Sequence, residues 1–174
     1  MHTPHESPSP WLIRHAPLIP KNGLVLDLAC GSGRNTRWLA EQGWRVCSAD
    51  IDEAAIAGLR DVLNVQAMVA DIENNAWPFG EQTFDGIVVC RYLHRPLLPR
   101  LAESLASGGV LIYETFMRGQ EQFGRPKNPD FLLRPDELRE VYEKELTIVA
   151  FEQGIMQGSH LAMMQRLCAI RNAG

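Results

Sequence analysis

Leu24-Val25-Leu26-Asp27-Leu28-Ala29-Cys30-Gly31-Ser32-Gly33-Arg34 is the stretch on which the fold turns. Residues 24–29 form a continuous apolar run broken by one acid, the pattern of a parallel strand buried on both faces. Residues 30–33 make a tight glycine loop. From 34 to 42 the apolar spacing through Trp38 and Leu39 is helical, until Gly43 stops it. A strand, a loop and a helix in immediate succession begin a strand-helix-strand sheet.

The same alternation continues outward. Strands are expected at 44–49, 65–70, 84–90 and 110–115, with helices at 53–63 and 96–106 and a Ser107-Gly108-Gly109 turn before the last of these strands. Residues 116–134 lack a clean period and read as a long loop, 135–144 as a last helix. Two further apolar stretches, 146–152 and 159–170, are separated only by 153–158 and predict a closing antiparallel hairpin. The expected architecture is therefore α/β: a doubly wound, mostly parallel, seven-stranded Rossmann-like sheet with a C-terminal antiparallel hairpin. Upstream, Pro20-Lys21-Asn22-Gly23 is a turn signal, and a short helix or turn is expected at 11–16. Residues 1–20 read as a lead-in able to fold over a ligand, and 21–174 as the domain.

Composition narrows the classes. A chain of 174 residues, 45% hydrophobic, has the size and apolar content of one soluble domain. Its formal net charge of -4 supplies no broad positive field for nucleic acid, which is disfavoured as a partner. Cys30, Cys47, Cys90 and Cys168 stand far apart with no Cys-x-x-Cys pair, so neither a disulfide framework nor a metal site is expected. No apolar stretch near the N-terminus suggests a signal peptide or a membrane span, and a cytoplasmic location is expected.

Three acids at predicted strand ends carry the chemistry. Asp27 lies inside an apolar strand, where a carboxylate needs a cation or hydrogen-bond donors to offset its desolvation. It either meets a ligand ammonium or ties down the glycine loop. Asp50 closes the second strand, where a carboxylate can accept both hydroxyls of a ribose, while Asp52 suits the cap of the following helix. Asp71 ends the third strand, within reach of a purine amino group. The dinucleotide fingerprint Gly-x-Gly-x-x-Gly fails, since Thr36 stands where its third glycine belongs. A ligand with an ammonium, a diol and an exocyclic amine but no pyrophosphate is S-adenosylmethionine.

Through 26–33, Ala49-Asp50-Ile51-Asp52, Ala70-Asp71-Ile72 and 105–109, the chain resembles the class I S-adenosylmethionine-dependent methyltransferases. The resemblance implies that Gly31 and Gly33 line the methionine part of S-adenosylmethionine, with Asp27 and Ala29 beside them. Asp50 would hold the ribose next to Ile51, and Asp71 with the Ile72 backbone would meet the adenine. A narrower resemblance, through Gly33-Arg34-Asn35 and Tyr92-Leu93-His94-Arg95-Pro96, is to the small tellurite-resistance-type branch. It implies a small methyl acceptor, an oxyanion or a thiol-like nucleophile, and S-adenosylhomocysteine as the second product.

The segment beyond the fourth strand bears on the acceptor. Cys90-Arg91-Tyr92 departs from the Asn-Pro-Pro-Tyr or Asp-Pro-Pro-Tyr loop of amino-methylating enzymes, and no insert is large enough for a separate recognition domain. Both observations favour a small-molecule nucleophile: an oxyanion, a thiol or a hydroxyl. His94 is the candidate base, with Tyr92 a second catalytic candidate. Arg91 and Glu114, at the ends of the fourth and fifth strands, and Arg118 and Arg134 are candidate substrate contacts, the last two in a loop that also carries Arg125 and Lys127 and could close as a lid over an anionic acceptor. Trp11 and Arg14 are candidate lid residues over the cofactor. Two alternatives stay open: a methyltransferase acting on RNA or protein through the basic loop, and a cofactor-binding module without catalysis.

Overall fold

Alternation along β1 (Leu24–Leu28) decides which side of the sheet each helix takes. The computed structural model describes residues 6–173, and the expected lead-in at 1–5 lies outside the described residues. In β1, Val25 packs on one side of the sheet and Leu26 and Leu28 on the other. Val25 meets Trp11 and Leu12 of α1 (Pro10–His15) and Leu39 and Ala40 of α2 (Arg34–Glu41). Leu26 and Leu28 share a core with Leu98 and Leu101 of α4 (Leu98–Glu103) and Leu138 and Tyr142 of α5 (Glu137–Tyr142). α3 (Glu53–Ala57) packs against β2 (Arg45–Asp50) and β3 (Val65–Val69).

The remaining strands are β4 (Phe84–Cys90), β5 (Leu105–Phe116), β6 (Thr147–Gln157) and β7 (Leu161–Ile170), and the sheet runs β3-β2-β1-β4-β5-β7-β6. The first five strands are parallel, and β7 inserts antiparallel between β5 and β6. The expected doubly wound sheet with a C-terminal antiparallel hairpin is thus the observed one. Strand order reverses at β1 and β4, the place where such sheets open a crevice at their carboxyl ends.

Several boundaries differ for local reasons. The helix expected at 53–63 ends at Ala57, because Gly58 caps it and Leu63 stays 82% exposed, with no core to draw it inward. The hairpin reaches through 153–157, since Gly154, Ile155 and Gln157 keep their ladder partners Met164, Met163 and Leu161. A boundary at residue 20 does not divide the molecule. Trp11, Leu12 and Ile19 are at most 2% exposed, and a side chain buried so fully contributes roughly 1.5–3 kcal/mol. Residues 10–19 are therefore part of the domain.

The segment after β5 is also more structured than a free lid. Met117 bridges Leu133, single turns form at Gln120–Gln122 and Pro129–Phe131, and Leu132 and Leu133 are buried. Arg95 donates to the Asp130 and Leu132 carbonyls at 3.1 and 2.8 Å and to both oxygens of the Glu137 carboxylate. The segment is a pinned wall. No helix among the described residues is long and apolar enough to cross a membrane.

Candidate active site

The carboxyl ends of β1 and β2 bring Asp27, Ser48 and Asp50 to one edge of the sheet. Asp27 is 2% exposed. Its Oδ2 accepts the Thr36 hydroxyl at 2.6 Å, and Thr36 Oγ lies 2.7 Å from the Ser48 hydroxyl. Burial pushes the Asp27 carboxyl up to about 6, against the lowering effect of Thr36. Even with the Thr36 hydroxyl and amide and the Arg34 charge nearby, a carboxylate this deep with no cation in direct contact stays underserved.

After β1 the backbone turns through positive φ at Ala29, Gly31 and Gly33. Asp50 fixes this turn: Oδ2 accepts the Gly31 amide at 2.8 Å and Oδ1 the Asp52 amide at 2.9 Å. The two loop glycines have different reasons. A Cβ on Gly31 would meet nothing within 4 Å, so the loop backbone there is open to a ligand. A Cβ on Gly33 would stand 2.4 Å from Leu59 Cδ2, so Gly33 is required by packing against the segment after α3. Asp52 caps α3 through the Ala54 and Ala55 amides, as its position before the alanine run predicted.

Two cavities border this edge. One of about 280 Å³ is lined by Asp27, Ala29, Gly31, Ser32, Asn35 and Cys90, among others. The other, about 560 Å³, lies among Tyr92, Leu93, Phe116, Arg125, Lys127 and Phe131. Arg91, itself at positive φ, lines both and stands at their junction. Over the smaller cavity runs the chain at Glu6–Ser9. Glu6 pairs with Arg91 at 2.9 Å, the Ser7 carbonyl accepts Arg34, and the Ser9 amide donates to Asn35 Oδ1 at 2.9 Å.

The residues present fit S-adenosylmethionine. Asp27 offers an ammonium the charge partner it lacks, and Gly31 leaves backbone open where a methionine part would lie. Asp50 borders the loop with a carboxylate, and Ile51 beside it is 65% exposed, an apolar face left open. Bound there, the cofactor would supply an electrophilic methyl group on a sulfonium.

Comparison with known proteins agrees with that fit. Residues 25–109 match the methyltransferase domain family. That stretch is just under half of the chain. The chain is 35% identical over 112 residues to trans-aconitate 2-methyltransferase of Variovorax paradoxus, covering 60% of this chain and 42% of that protein. It is 27% identical to an uncharacterized protein of Schizosaccharomyces pombe, covering 71% of this chain and 50% of that protein. The chain thus spans about half the length of the curated relatives it matches. Among solved structures, TehB from Haemophilus influenzae superposes with a TM-score of 0.77 at 23% identity, over 92% of this chain and 61% of that one. A TehB-like S-adenosylmethionine-dependent methyltransferase from Corynebacterium glutamicum gives 0.68 at 20%, over 93% and 87%. At these identities the likeness establishes the fold. The family match and the fold agree with the resemblance to class I methyltransferases, and the likeness to the TehB structures is one of fold.

The fold gathers some of the expected site residues and disperses others. Asp27, Ala29 and Gly31 line the smaller cavity, and Asp50 reaches it through the Gly31 amide. Asp71 has turned its carboxylate to its own loop, accepting the Glu73 and Asn74 amides and the Asn74 side chain, which holds it below the usual carboxylate range. Ile72 is half-buried against the core.

Tyr92 lines the larger cavity, but its hydroxyl donates to Glu73 Oε1 at 2.8 Å. Burial, with the Glu73 carboxylate behind it, raises that phenol well above its ordinary range. His94 Nδ1 lies 3.8 Å from the same Glu73 oxygen, and His94 lines neither cavity.

The structure places five other candidate residues away from the two cavities. Trp11 does not cover the cofactor: it is buried beneath the sheet with Nε1 donating to the Leu167 carbonyl, and Arg14 pairs with Glu152 of β6. Within the lead-in that was expected to fold over a ligand, it is Glu6 that borders the smaller cavity, where it pairs with Arg91. Glu114 is not open to a substrate, being 5% exposed and held by Arg166 at 3.0 Å and by the Ser9 hydroxyl. Arg134 is engaged at the start of α5, 3.3 Å from Glu137. Arg118 lines neither cavity, its backbone being bonded to Leu133. The cations that do reach the larger cavity are Arg91, Arg125 and Lys127, of which the sequence reading singled out only Arg91 as a contact.

Proposed function

We propose that this protein transfers a methyl group from S-adenosylmethionine to a small-molecule nucleophile, an oxyanion, thiol or hydroxyl, in the cytoplasm. The observation that carries the reading is the pair of cavities meeting at Arg91, one edged by the glycine loop and the buried Asp27, the other lined largely by apolar side chains. The chain's own part is alignment and exclusion of water. Asp27 and Asp50 hold one partner, the 6–9 strap and Arg91 shield it, and the apolar cavity presents the other. Such positioning is the main contribution open to an enzyme when the reacting charge is neutralised during transfer. The names of the relatives, among them a methyltransferase acting on trans-aconitate, agree with a small acceptor.

Calorimetric titration of the full chain with S-adenosylmethionine, S-adenosylhomocysteine and NAD tests this reading. Micromolar binding of both adenosyl compounds and none of NAD is expected. Binding of neither adenosyl compound overturns it.

A further inference from the structure

The composition of the larger cavity narrows the acceptor, on the reading that the smaller one holds S-adenosylmethionine. Leu93, Phe116 and Phe131 give it apolar walls, and Phe131 is 49% exposed. Its charged lining is Arg91, whose one partner is Glu6 at 2.9 Å outside this cavity, with Arg125 and Lys127, and no Asp or Glu is among its lining residues. Among the described residues Arg125 and Lys127 have no ion-pair partner. A compact inorganic oxyanion would satisfy the cations and leave the phenyl faces wet. A neutral apolar molecule would cover the faces and leave the cations unmatched. An anion on an apolar body satisfies both, and about 560 Å³ is room for one of ordinary metabolite size.

The cavity also lacks a base. No His, Asp, Glu or Cys lines it; the Tyr92 hydroxyl is spent on Glu73, and the His94 ring sits beside the same carboxylate. An alcohol or an ammonium would need a proton removed before it could accept a methyl group. A carboxylic acid, ionising near pH 4, arrives already deprotonated.

The geometry points to a small carboxylate on an apolar or aromatic body as the acceptor, methylated on the carboxylate itself to give a methyl ester. One carboxylate oxygen forms the new bond to the methyl carbon with a lone pair. The carbon–sulfur bond breaks with its electron pair onto sulfur, yielding S-adenosylhomocysteine, and no proton moves. Arg91, at the junction of the cavities, orients the carboxylate; Arg125 and Lys127 draw it in by charge.

The test is binding first, then transfer. The protein saturated with S-adenosylhomocysteine is titrated with benzoate, phenylacetate, cinnamate and octanoate, and with the matching amides. At least one carboxylate is expected to bind at least tenfold more tightly than its amide, and Arg125→Gln/Lys127→Gln is expected to abolish that preference without changing S-adenosylhomocysteine affinity. Radiolabelled methyl from S-adenosylmethionine should then appear in a product that releases methanol in alkali. Binding of S-adenosylhomocysteine with no carboxylate preferred over its amide, or a preference untouched by the double variant, overturns the acceptor assignment and leaves the cofactor reading standing. So does label found only in an alkali-stable product. Failure to bind S-adenosylhomocysteine overturns both.

Discussion

Glu6 Oε1 lies 2.9 Å from Arg91 Nη1, joining the N-terminal strap to the residue where the two cavities meet. Both side chains are about half exposed, 55% and 50%, so the pair is worth at most about 1 kcal/mol. On the proposed reading its value is positional, because it holds the strap at the edge of the cavity assigned to the cofactor. Glu6→Gln should accelerate S-adenosylhomocysteine release about twofold to fivefold in stopped-flow displacement. Raising salt should do the same to the wild-type protein and leave the variant unchanged. Equal off-rates for the two proteins at low salt would remove any role for this contact.

Asp50 ties down the glycine loop, and on the proposed reading it also meets the ligand. Replacing it with Ala removes the acceptor for the Gly31 and Asp52 amides together with the proposed ribose partner. Cofactor affinity should fall by about 1–3 kcal/mol with a smaller loss of stability, as the Asp52 amide is exposed and the Gly31 amide only partly buried, so water can serve both. Calorimetry and a thermal melt on the same sample separate the two effects, and unchanged affinity would end the ribose assignment.

Asp27 gives a pH dependence of definite sign. Its folded value, about 6, lies above the ordinary 3.8, so the folded protein keeps a proton that the unfolded chain gives up. The stabilising contribution is complete below pH 3.8 and is lost as pH rises through about 6, on the order of 3 kcal/mol in all. Urea unfolding of the wild-type protein and Asp27→Asn should therefore diverge between pH 4.5 and 7, the wild-type losing ground. A ligand ammonium reverses the preference by favouring the carboxylate. S-adenosylhomocysteine affinity should rise about tenfold from pH 5 to 7 in the wild-type protein and stay flat in the variant. A flat wild-type profile would separate Asp27 from the ligand.

These contacts also mark how much the sequence could disclose. The unit 24–34 was legible because its signals are local: an apolar run, a glycine loop, helical spacing. The acids at 27, 50 and 71 followed from it, since strand ends share an edge by topology. What stayed hidden depends on partners far along the chain. Ser9 and Glu114 are separated by 105 positions, and Glu114 and Arg166 by 52, so Glu114 read as free when it is paired on both oxygens. Asp71 was misjudged locally rather than at long range: its own turn competes for the carboxylate, through an asparagine three residues on that the strand-end rule does not see.

Gly33 gives a packing test independent of any ligand. At φ +86 a side chain is strained, and a Cβ would press 2.4 Å from Leu59 Cδ2. Leu59 is fully buried and has little room to withdraw. Gly33→Ala should cost about 1–3 kcal/mol in urea unfolding through strain and overpacking together. Leu59→Ala alone should cost about 2–5 kcal/mol by leaving a cavity. The double variant should be less destabilised than the sum, because the new methyl enters space that Leu59 vacated; only the strain at φ remains uncorrected. Strict additivity would mean that the backbone angle, and not the contact with Leu59, is what requires glycine here.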